Sequence, residues 1–244
     1  MTGRSPSKIK KFFTGILCGT ALLTFFPMSM VSHASVSQSG KVIIENFKSS
    51  EKDNSLPKGW KSSRSDVSMY SMKEEDGKFY IHAETKGGCT SIGKRINFSA
   101  TKYPFLSWDW KVENLPDGGK ETDKKSNDSA GGLYVIFKGS FMFNNVIKYV
   151  WSSTLPPGTI VSSPYNSRTK IIVLESGSGK TGKWIKETVN IFEDYKRCFG
   201  SKPPSVDGIG LMTDSDNTRS LAAADYADIQ VNSYQPDAAE LTVQ

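Results

Sequence analysis

Histidine and cysteine are scarce in this chain: 244 residues carry two of the first and three of the second. One histidine, His33, falls in an N-terminal leader, so a zinc site built on several histidines is excluded and any Ser-His-Asp device would have to use His82. His82 is on the polar side of a strand-like segment with no neighbouring carboxylate motif, which suits a surface position better than a general base. Long apolar runs are missing as well. The longest, residues 12–26, falls short of the ~20 residues that span a bilayer and stops at Pro27. Arg4, Lys8, Lys10 and Lys11 precede it and the small-residue site Ser32-His33-Ala34 follows, which is the order of a secretory signal peptide cleaved after Ala34. Cys18 follows bulky Leu17, so a lipoprotein anchor is not expected, and neither is stable membrane insertion after cleavage.

The mature chain also lacks a charge excess. Residues 1–34 hold four basic and no acidic side chains, so their removal takes the 31 Lys+Arg to 27 against 25 Asp+Glu and the formal charge from +6 to +2. No Lys/Arg stripe remains to hold nucleic acid. Lys120, Lys124 and Lys125 alternate with Glu121, Asp123 and Asp128, as a solvated surface loop does. Residues 35–234 are enough for one sizeable all-β domain, and residues 235–244 read as a disordered tail with little to pack. Two cysteines stay in the mature chain, Cys89 and Cys198. Export allows a disulfide between them, and burial of both as small hydrophobes is the alternative.

Helical periodicity is confined to one place. Short strand-like segments punctuated by turns fill the rest, at residues 42–47, 78–83, 91–98, 105–112, 133–137, 147–151, 170–174, 184–189, 206–213 and 226–231. The sharpest alternation puts Leu106, Trp108, Trp110 and Val112 on one face and Ser107, Asp109 and Lys111 on the other. The single helix spans residues 191–199, with Asn190 and Glu193 in a capping-box arrangement and Gly200 as its stop. Strands do not alternate with long helices, which excludes a doubly wound parallel sheet. An all-β antiparallel sandwich follows, a jelly roll of galactose-binding or concanavalin-like type with one short helix.

Few motifs carry chemistry. Gly179-Lys180-Thr181 follows a strand but lacks the leading glycine of a phosphate loop, with Leu174 in its place, and precedes a strand rather than a helix; it reads as a hairpin turn. Asp214-Ser215-Asp216-Asn217-Thr218 alternates oxygen side chains on a tight loop, which suits calcium with Asp214, Asp216 and Asp128 as ligands, or an Asx-turn that serves only its own backbone. Trp108 and Trp110 belong to the core by their alternation. Tyr134 points opposite to Leu133, Val135 and Phe137, so Ser107, Asp109, Lys111 and Tyr134 are expected to share one ligand-binding sheet face.

Several ordered segments together resemble a bacterial exported family catalogued as domain of unknown function 3047. They are residues 106–112 (LSWDWKV), Asn127-Asp128 ahead of Tyr134-Val135, Tyr149-Val150-Trp151-Ser152, Asp194-Tyr195 with Phe199-Gly200, residues 211–218 (LMTDSDNT) and Tyr226-Ala227-Asp228-Ile229. The resemblance covers most of residues 42–231 and implies an exported β-sandwich likened to carbohydrate-binding jelly rolls, with no catalytic residue to transfer. The family's arginines near Gly132 and near Val189 are absent here. Together these readings lead us to expect a non-catalytic periplasmic or secreted domain that binds a saccharide or a cell-envelope component. The alternatives are a polysaccharide lyase or glycosidase using Asp109, Asp128 or Glu175, and a structural module of the envelope.

Overall fold

The computed structural model describes residues 40–48, 56–139 and 143–236. The segment expected to be a signal peptide, residues 1–34, and the chain from residue 237 onward lie outside the described residues. Among the described residues, thirteen strands and one α-helix follow one another: β1 (Lys41–Glu45), β2 (Trp60–Ser62), β3 (Tyr70–Glu75), β4 (Lys78–Lys86), β5 (Ile92–Phe98), β6 (Phe105–Asn114), β7 (Gly131–Phe137), β8 (Asn145–Ser152), β9 (Ile160–Ser162), β10 (Thr169–Ser176), β11 (Ile185–Asn190), α1 (Ile191–Phe199), β12 (Val206–Leu211) and β13 (Leu221–Asn232).

They form two sheets packed face to face. Sheet I runs β11-β6-β13-β4-β3 with β1 added to β13, and sheet II runs β2-β5-β12-β7-β8-β10-β9. All the pairs are antiparallel except β8 with β10. Each inner face is supplied by alternate residues, because successive side chains of a strand point to opposite sides. Trp108 and Trp110 of β6 meet Tyr149 and Trp151 of β8 across the interior with ring centroids 5.6 and 5.9 Å apart, and all four are fully buried. Tyr226 of β13 links the layers with hydrogen bonds: its hydroxyl donates to the Met212 carbonyl at 3.0 Å and accepts from the Gly132 amide at 3.1 Å.

Local chemistry accounts for the element ends. Asp76 and Gly77 both have positive φ, 51° and 79°, as a two-residue β3–β4 hairpin of the twist-matching kind requires. Asn190 Oδ1 accepts from the amides of Phe192 and Glu193, and Gly200, at φ 70°, closes α1. The Gly-Lys-Thr segment is not a hairpin. A 3-10 turn, Ser178–Lys180, carries the chain from β10 in sheet II to β11 in sheet I, because the two flanking strands belong to different layers. The strand after it still leaves no helix N-terminus to receive a phosphate.

Candidate functional site

The four residues expected on one ligand face are divided between opposite sides of the sandwich. Ser107, Asp109 and Lys111 do share the outward face of sheet I, but Tyr134 lies on the outward face of sheet II, since β6 and β7 belong to different layers. The sheet I trio is already engaged. Ser107 is fully buried against Thr188, with the hydroxyls 3.0 Å apart. Lys78 bridges Asp109 at 2.6 Å and Asp228 at 3.0 Å. Lys111 holds Glu75, Glu113 and Asp225 at 3.1 to 3.2 Å beneath the Trp184 ring. His82, expected to be a solitary surface histidine, has Nδ1 2.6 Å from Asp225 Oδ1, its cross-strand neighbour.

On sheet II the loop that carries Asp214 and Asp216 meets groups that spacing does not reveal. Asp214 leaves β12 beside Cys89, whose backbone pairs with it in an isolated bridge. Its Oδ1 accepts from the Asp216 amide at 3.3 Å, so the Asx-turn is made. Asp128 arrives from the 117–128 loop and holds the other half of the turn, its two oxygens accepting from the amides of Asn217 (3.3 Å) and Thr218 (2.6 Å). Oxygens of Asp214 and Asp216 lie within 4.8 Å of one another, and Cys89 Sγ is 2.9 Å from Asp216 Oδ2.

The long polar loop is not a solvated excursion. Glu121 and Asp128 are fully buried in it, because the loop folds over the outward face of sheet II and closes on Lys148. Lys148, itself buried on β8, donates to Ser129 Oγ at 2.8 Å, and its ammonium sits 5.4 Å from the centre of the Tyr134 ring. Burial works against that ammonium, yet Tyr134, Asp214 and Glu121 together raise its pKa above the ordinary lysine value. Burial also pushes the Asp214 carboxyl well above its usual range; Lys148 opposes this and the charges of Asp216 and Asp128 reinforce it. Asp216 is raised by burial and by Asp128.

At the rim of this cluster stands Tyr165, exposed, on the β9–β10 connection. Its hydroxyl donates to the Lys124 carbonyl at 2.5 Å. Burial of that hydroxyl raises the phenol, against a hydrogen bond with Asn217 and together with the charges of Asp216, Asp214 and Asp128. Arg64 donates to Cys89 Sγ at 3.0 Å. Lys148, Glu121, Tyr165 and Arg64 carry no sequence signature, since each enters from a separate segment.

Two further sets of residues lie apart in the fold. Cys198 is a free, half-buried thiol on α1 among Asp194, Arg197 and Tyr149, so no bridge joins it to Cys89, which neighbours Asp214, Asp216 and Arg64. Burial raises the Cys198 thiol to about 11, with Asp194 adding to the effect. The three acids of the lyase or glycosidase alternative are scattered, Asp109 on the sheet I face, Asp128 under the sheet II loop and Glu175 against Lys180 at 2.6 Å where β10 leaves sheet II.

Comparison with curated proteins finds no match. Among solved structures the chain is similar to the family 11 carbohydrate-binding module of the cellulosomal cellulase Lic26A-Cel5E of Clostridium thermocellum, at 12% identity and a TM-score of 0.42 over 83% of this chain and 99% of that one. It is also similar to the family 30 carbohydrate-binding module of the cellulosomal cellulase Cel9D-Cel44B of Clostridium thermocellum, at 9% identity and a TM-score of 0.39 over 71% of this chain and 87% of that one. Residues 58–230 match the model of the protein family of unknown function DUF3047, and this chain belongs to that family.

Proposed function

We propose that this protein is exported and binds a saccharide of the cell envelope without turning it over, at the rim formed by Tyr165, Asn217 and Arg64. One observation carries the reading: an exposed tyrosine ring borders the half-buried Asp216-Asn217 step, and the Arg64 guanidinium acts on Asp216 as well. An aromatic face packs on the apolar face of a sugar ring. Amide, guanidinium and carboxylate supply donors and acceptors for its hydroxyls, and a few such groups around an apolar surface are the usual make-up of a small-molecule site. By contrast, the charged groups on the outward face of sheet I are largely paired with one another.

A glycan array followed by calorimetry on the best hit tests the proposal. Tyr165→Ala should weaken binding roughly tenfold, the order of one lost ring contact. Asn217→Ala should weaken it less, and Asp109→Ala, on the opposite face, should leave it unchanged. An Asp109→Ala loss with Tyr165→Ala intact would move the site to sheet I. Release of shortened product from the bound oligosaccharide would replace binding by catalysis.

A further inference from the structure

Sheet II holds a cavity of about 290 Å³ whose walls include Arg95, Asn97, Lys138, Gly139, Asn144 and Asp207. Asp207 lies at the start of β12 and Asp214 beyond its end, roughly 20 Å away at the rise of a strand, so this cavity is separate from the Tyr165 rim. Local backbone chemistry builds it. The pairing of β12 with both of its neighbours, β5 and β7, shifts between Val206 and Gly208, which makes Asp207 the extra residue of a β-bulge. A bulge re-aims a side chain and recurs beside functional sites. Gly208 next to it pairs with Arg95 on one side and Ile136 on the other, so that row has no side chain on β12. At the β7–β8 connection a Cβ on Gly139 would lie 1.6 Å from the Phe143 carbonyl oxygen, so only glycine lets the chain close there. The Gly139 amide donates to Asn144 Oδ1 at 3.0 Å, which commits that oxygen and leaves the Asn144 NH2 group as a donor.

The lining is rich in donors and has an excess of positive charge. Arg95 and Lys138 stand against Asp207 alone, and Arg95 Nη2 is 3.6 Å from Asp207 Oδ1, which is an ion pair without a hydrogen bond. Lys138 is exposed and makes no ion pair among the described residues. Asn97, exposed as well, adds a second side-chain amide. We propose that this cavity binds a small oxyanion, a carboxylate or a phosphate, with the Lys138 ammonium as its charged anchor and Asn144, Asn97 and Arg95 as further donors. Ammonium and guanidinium groups make their strongest hydrogen bonds to such oxygens. The volume is at the lower end for small-molecule pockets, which sets the ligand at about one acidic sugar unit or a free phosphate. This site does not depend on the saccharide rim.

Calorimetry of the protein with sodium phosphate, with glucuronate and with glucose tests the proposal. Phosphate or glucuronate should bind saturably at one site and glucose should not. Affinity should fall as sodium chloride is raised, because the anchor is exposed and salt screens it. Lys138→Gln should keep the wild-type melting temperature and lose about tenfold in anion affinity, the order of one charge-assisted hydrogen bond. Lys186→Gln, at an exposed lysine of β11 in sheet I, should leave that affinity unchanged, and so should Tyr165→Ala. Tighter binding of glucuronate would make the anion part of an acidic sugar, tighter binding of phosphate would make it free phosphate, and both support the site. Saturation by neither anion would overturn it, as would equal losses in Lys138→Gln and Lys186→Gln. The phosphate arm contains no sugar, so its failure leaves the glycan-array result standing, and an empty array leaves this site standing.

Discussion

Glu187 shows how one residue can set a pH dependence for the whole domain. It lies on β11, where the 3-10 turn from sheet II meets sheet I, and Trp110 Nε1 donates to its carboxylate at 3.2 Å. Burial, reinforced by the charge of Glu175 and opposed by Trp110 and Lys180, raises it from 4.5 to about 7. Between those values the folded protein holds a proton that the unfolded chain has released, so folding stability falls as pH rises through that window. Urea melts at a series of pH values should show this decline, and Glu187→Gln should flatten it, leaving the variant more stable above pH 7 by roughly 3 kcal/mol at most. Parallel curves for the two proteins would remove Glu187 as the cause. At this scale the sequence is readable where alternation is clean: Trp108 and Trp110 point inward as their spacing requires. It is silent on Glu187, because the groups that shift it come from other strands and from a turn. His82 illustrates the same limit, since its carboxylate partner is on β13.

At the scale of elements, α1 is specified almost entirely by local residues. Asn190 caps it, Glu193 and Asp194 occupy the first turn, Lys196 and Arg197 the last, and Gly200 takes the left-handed conformation that ends it. Asn190→Ala should cost about 1 kcal/mol in a thermal or urea melt, as the loss of an N-cap does. A cost near zero would mean that Tyr195 and Asp194, through its bond with Tyr149, hold the helix without its cap. Strands are legible to the extent that they alternate. The ten segments read from the sequence all recur, while β2 and β9, three residues each, are too short to show a period. β3 is hidden by its exposed charged end. The first half of β13, Leu221 to Asp225, has three alanines and shows no apolar alternation. It is a strand because β4 and β6 pair with it on both sides.

For the whole molecule, the remaining prediction concerns address. The basic, apolar and Ser-His-Ala order of the first 34 residues leads us to expect that protein purified from the expressing bacterium begins at Ser35 by intact mass. A species retaining Met1 and extracted only by detergent would contradict it. Sequence alone determined the all-β class, the place of the one helix, the inward tryptophans and the acidic loop, because each depends on periodicity or on turn chemistry within a few residues. Tertiary structure decided everything that needs two distant segments to meet. Putting β6 and β7 in different sheets separated Tyr134 from Asp109, and closing the 117–128 loop over β8 buried Glu121 and Lys148 together. Placing Cys198 on α1 kept it from Cys89. Alternation says which side of its own strand a residue takes, but not which sheet the strand joins, and the site depends on the second.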